Sequence, residues 1–146
     1  MDFIEIENKI KKELETLKWE DKVFNNVYNY YTLENDEFPY VWFELTEENY
    51  TQKSNHYDTA EWLFHIYIFQ EINENDNIDR NKARNIIKKW VKEIQTLFRN
   101  KYTLDWNVNN CKIENIKYDT FIDEKWIIYN ALIQLKVEFD SNIDII

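Results

Sequence analysis

Ala60-Glu61-Trp62-Leu63-Phe64-His65-Ile66-Tyr67-Ile68-Phe69 is the stretch on which the fold turns. It has no helical period. Trp62, Phe64, Ile66 and Ile68 fall on one side of an extended chain, and Leu63, His65, Tyr67 and Phe69 on the other. The pattern predicts a long strand over Ala60–Ile72 that is apolar on both faces. A second strand of this kind is predicted over Lys125–Asp140. One face carries Ile127, Tyr129, Ala131, Ile133, Leu135, Val137 and Phe139. The other carries Trp126, Ile128, Asn130, Leu132, Gln134, Lys136 and Glu138.

Working outward, Asp79–Asn100 reads as a helix. Ala83, Ile86, Ile87, Trp90, Val91, Ile94, Leu97 and Phe98 make a wide apolar stripe, and Asp79 is a suitable N-cap. Its other side carries Arg80, Lys82, Arg84, Lys88, Lys89 and Lys92, with Asp76, Asp79 and Glu93 close by. This reads as a solvated helix face. Phe3, Ile6, Ile10, Leu14 and Leu17 predict an earlier helix over Asp2–Lys18. Further strands are expected over Lys22–Thr32, Tyr40–Leu45 and Lys112–Phe121. Pro39 opens the second of these, where a missing N–H costs least. Thr46–Asp58 reads as a long polar loop. The order α-β-β-β-α-β-β gives the α+β class. We expect a mostly antiparallel sheet of about five strands with two helices packed on one face, in one domain spanning 1–146.

Composition narrows function mainly by exclusion. The chain has 146 residues, 28 acidic against 18 basic side chains, and a net charge of −10. Such a charge disfavours binding to nucleic-acid phosphates. With no glycine at all, Gly-rich phosphate loops cannot form, and turns needing positive φ fall to Asn and Asp. A single cysteine, Cys111, cannot form an intrachain disulfide. The start lacks a signal-peptide pattern, and no apolar run is long enough for a bilayer span.

No catalytic or metal pattern emerges. His56 and His65 are the only histidines and lie, with Cys111, in separate elements, short of a zinc ligand set. Neither Ser54 nor Ser141 sits in a nucleophile elbow, and Cys111 reads as an inert small residue. Counting a calcium loop from Asn73 places Ile78 where glycine is needed and Arg84 where glutamate is needed. Glu44, between Phe43 and Leu45, reads as a rim residue. No cofactor and no enzyme activity are expected.

The aromatics point elsewhere. Tyr40, Trp42, Leu63, Tyr67, Phe69, Trp126, Ile128 and Leu132 share the second faces of their strands. Two helices, each about 10 Å wide, cover one face of a five-stranded sheet. A bare apolar face of that size implies cover by another subunit. These eight residues are therefore the candidate subunit interface, and Glu47, Glu48, Tyr50, His56 and Tyr57 a candidate partner loop.

The element order from Phe3 to Phe139, the size, the acidity and the polar stretch Thr46–Asp58 resemble the tail terminator (tail completion) proteins of long-tailed bacteriophages. The resemblance implies a homo-oligomeric ring, typically a hexamer, that caps the tail tube and joins it to the head. It implies tail tube and head connector proteins as partners, DNA that passes through without specific binding, and no membrane. The location it implies is the virion tail, with the host cytoplasm before assembly. It carries over no catalytic residue. The alternative is a small acidic inhibitor or immunity protein that binds a toxin or nuclease. The discriminator is oligomeric state, together with whether the acids cluster on one face.

Overall fold

The computed structural model describes residues 3–19, 22–23, 27–29, 38–53, 57–105, 108–123 and 126–142. Helix α1 (Phe3–Glu15) is followed by short strands β1 (Lys18–Trp19), β2 (Lys22–Val23) and β3 (Val27–Tyr28). Long strands β4 (Tyr40–Gln52) and β5 (Tyr57–Glu71) form a hairpin. A 3-10 turn (Glu74–Asp76) leads into α2 (Arg80–Asn100), and β6 (Asn110–Asp123) and β7 (Trp126–Asn142) close the chain.

The main sheet runs β3-β4-β5-β7-β6. All its ladders are antiparallel except β3 with β4, which is parallel. The two strands read first from the sequence, β5 and β7, are the centre of the sheet. That position explains why both carry apolar residues on both faces.

Both helices lie on one face. Ile6, Ile10 and Leu14 of α1 and Ala83, Ile87, Trp90, Ile94 and Phe98 of α2 are buried in one cluster with Val41, Phe43, Phe64, Ile66, Ile133 and Leu135. Asp79 caps α2 as expected: its carboxylate accepts the Lys82 N–H at 2.8 Å. The helix ends where the Lys101 N–H still reaches the Leu97 carbonyl and Leu104 and Asp105 turn left-handed, at φ 47° and 56°. Asp105 pairs with Lys9 of α1 and, at 3.0 Å, with Lys101. These two ammonium groups hold its carboxyl below the usual carboxylate range and tie the turn to α1. With no glycine available, the positive-φ positions fall to Asn77, Leu104 and Asp105 among the described residues.

Three expectations need correction. The first helix ends at Glu15, and Lys18 already belongs to β1. Among the described residues, the strand expected over Lys22–Thr32 is two short pieces. Lys22–Val23 pairs with β1 in a separate ladder, and Val27–Tyr28 pairs with β4. Residues 24–26 and 30–32 lie outside the described residues.

The third correction concerns Thr46–Asp58, expected as a loop. β4 runs on to Gln52 and β5 begins at Tyr57. Glu47, Glu48 and Tyr50 are therefore ladder residues opposite Leu63, Trp62 and Ala60. Among the described residues β3 pairs with Val41 and Trp42 alone, and the rest of β4 has no neighbour on that side. Thr46 to Lys53 are exposed throughout. An outer strand bare on both sides shows no apolar alternation, and polar side chains suit it. Both outer strands are also bulged, β4 at Thr46 and β6 at Glu114.

Candidate functional site

The second face of the sheet is a set of cross-strand rows. From β4 through β5 and β7 to β6 they read Tyr40–Phe69–Asn130–Asp119, then Trp42–Tyr67–Leu132–Lys117, then Glu44–His65–Gln134–Asn115. All eight candidate interface residues lie on this face, so the strand parity read from the sequence agrees with the ladders. Their exposure differs from expectation. Tyr40, Trp42, Phe69, Trp126 and Ile128 are buried within the chain as a second cluster. Leu63, Tyr67 and Leu132 are half-buried.

The physical reason is that aromatic rings cover one another. Tyr40 meets Phe69 edge-on at 5.4 Å, and Phe69 meets Phe121 at 5.2 Å. Phe38, just before β4, lies 5.3 Å from both Tyr40 and Trp126, and Tyr28 of β3 lies 5.9 Å from Tyr40. Phe38, Tyr28 and Phe121 were not among the residues singled out from the sequence. The run Phe38-Pro39-Tyr40 was the available signal for the first of them. Trp42 and Tyr67 stack face to face, with centroids 4.1 Å apart and planes 6° apart. Beside this stack lies a groove of about 590 Å³, lined by Trp42, Tyr67, Phe69, Lys117, Asn130 and Leu132 among others.

Beyond the groove the face turns polar. The Tyr67 hydroxyl lies 3.5 Å from His65 Nδ1. Burial pushes the His65 pKa down, with Glu44 across the ladder opposing the shift and Lys117 adding to it. Burial, then Glu44, raises that of Tyr67. Further along, Lys136 of β7 bridges Glu114 at 3.1 Å and Glu138 at 3.3 Å.

Of the candidate partner loop, Glu47, Glu48 and Tyr50 stand on the exposed part of β4. Tyr57 is the first residue of β5, and His56 lies outside the described residues. The Tyr50 hydroxyl donates to Glu48 at 2.8 Å and accepts the Trp62 indole N–H at 3.1 Å.

Cys111 lies under the helices, its thiol donating to the Lys101 carbonyl at 3.5 Å, and burial pushes its pKa up to about 12. Such a thiol is a poor nucleophile at neutral pH. Among the described residues, no group of three His, Cys, Asp or Glu converges to hold a metal ion. No helix among them is long and apolar enough to cross a membrane. No protein-family model matches the chain, and no match is found among curated proteins.

Proposed function

We propose that this chain is a structural subunit of a bacteriophage virion, a tail terminator or head-tail joining protein that forms a ring with its own copies at the end of the tail tube. One observation carries the reading: the sheet is covered unevenly. Both helices lie on one face. On the other, Tyr67 and Leu132 are half-exposed neighbours across the ladder, with Leu63 further along β5. No element among the described residues packs over these three. A second copy is the cover that completes such a surface. The tail tube and head connector are the other partners. In this reading the chain is not an enzyme and needs no cofactor. Its net charge of −10 lets DNA pass without tight phosphate contacts.

The test is solution mass by light scattering over a concentration series. The expected result is a ring-sized species, or a monomer that shifts toward one as concentration rises. Tyr67→Glu and Leu132→Glu should each abolish it, with far-UV spectra unchanged. An unchanged assembly in both variants would remove this face from the contact.

The inhibitor reading has an observation of its own in favour. Glu44, Glu47 and Glu48 are exposed along a single outer strand. A strict monomer at every concentration moves that reading to the front.

A further inference from the structure

The formal charge hides a strong asymmetry. Helix α2 holds seven of the chain's 18 Lys and Arg side chains and one of its 28 acids. The helix therefore carries +6, leaving 11 cations against 27 acids elsewhere, a remainder of −16. Arg80, Arg84, Lys88 and Lys92 are exposed and spaced four apart, so they form one row about 18 Å long along a flank of the helix. Lys88 lies 5.9 Å over the Tyr118 ring. Ion pairs among the described residues use Lys9, Lys101 and Lys136, and none uses a cation of α2.

The complement lies elsewhere in the fold. Beyond Leu45 the β4 side of the β4–β5 hairpin is exposed yet stays paired as far as Gln52 with Asp58, while Ala60 and Trp62 of β5 anchor it in the helix-covered core. This arm bears Glu47, Glu48, Asp58 and Glu61, against Lys53 alone among the cations from 46 to 61. It is stiffened by the hydrogen bonds from Trp62 to Tyr50 and from Tyr50 to Glu48. A pre-organised arm loses little conformational entropy on docking.

Two surfaces of opposite sign that do not pair within one chain suit a head-to-tail contact between copies. We propose that the acidic β4–β5 arm of one copy docks along the basic row of α2 on the next. The contact rests on the assembly reading above and adds a charged meeting point to the one at Tyr67 and Leu132. Nucleic acid is the lesser fit for the basic row, because the remaining −16 repels phosphates while a second copy brings its own carboxylates.

The experiment uses the whole chain in sedimentation velocity at about 0.05 and 0.5 M salt, with thermal melts to verify folding. One variant carries Arg84→Glu and Lys92→Glu, the other Glu47→Lys and Glu48→Lys. Each alone should weaken self-association by about tenfold or more, because like charges then face each other. An equimolar mixture should restore association, since each copy then meets a complementary neighbour on both sides. Higher salt should weaken the wild type and the mixture alike.

Either variant associating like the wild type, or a mixture that stays apart, overturns the contact. A ring indifferent to both variants does so while keeping the assembly reading. A dimer that dissolves in both variants and re-forms in their mixture keeps the contact and removes the ring. A short DNA duplex that binds the wild type but not the α2 variant, with self-association unaffected, assigns the row to nucleic acid and overturns the proposal.

Discussion

The two faces of the sheet come from the same strands yet reach burial by different routes. Under the helices, Phe43, Phe64, Ile66, Ile133 and Leu135 are sealed by side chains brought from distant parts of the chain. On the opposite face the aromatic rings of the strands and their ends cover one another, and burial stops partway. Tyr40, Phe69 and Ile128 are sealed, Tyr67 and Leu132 are half covered, and Glu44 is exposed. The first face is a core in the ordinary sense. The second is a core at one end and an open surface at the other, and the open part is where a partner has something to bury.

Large-to-small substitutions give the largest test of that contrast. Phe64→Ala should cost about 4 kcal/mol in denaturant unfolding, because the cavity it leaves is closed on all sides. Phe69→Ala should cost somewhat less, about 3 kcal/mol, because its site adjoins the groove and water can refill part of the space. A cost for Phe69→Ala typical of a surface residue would mean that the second cluster is no core at all.

A sharper and smaller effect concerns the Trp42–Tyr67 stack at the boundary between sealed and open regions. A double-mutant cycle with Trp42→Ala and Tyr67→Ala should give a coupling of about 1 kcal/mol. No coupling would make the two rings independent occupants of the groove wall.

The smallest effect is on pH. The His65 pKa is lowered from 6.5 in the folded chain by burial, with Lys117 adding to the shift and Glu44 and Glu47 opposing it. Protonation then favours the unfolded chain, so the stability present above pH 6.5 declines as pH falls through the folded value. His65→Gln should flatten the stability profile in the window just below pH 6.5 and leave it unchanged above. A profile identical to wild type would show that the ring is as well solvated as in the unfolded chain.

The helix-covered face was readable in the sequence because long-range burial leaves periodic marks. The α2 stripe from Ala83 to Phe98, its Asp79 cap, and the alternation in β5 and β7 all follow from one side facing an apolar layer. The second face was readable as composition but not as burial. Its lid comes from Phe38 and Tyr28, which sit in short, irregular stretches where no period exists. The distal half of β4 was missed for the converse reason. Its ladder is made by the backbone, and side chains exposed on both sides, Tyr50 with its hydrogen bond to Trp62 included, meet no apolar layer that would impose an alternation. The bulges at Thr46 and Glu114 were hidden in the same way, since a one-residue slip shows only once the partner strand is known.

Those bulges bear on how the molecule behaves at high concentration. Among the described residues, β6 and the part of β4 beyond Trp42 are long outer edges, and a flat pair of such edges is a template on which further chains can stack without limit into fibres. One inserted residue breaks the repeat of donors and acceptors on each outer strand, at Thr46 and at Glu114. Growth by strand addition is therefore obstructed on both sides. The assembly proposed above runs instead through side-chain surfaces, whose geometry can close on itself and fix a finite number of subunits.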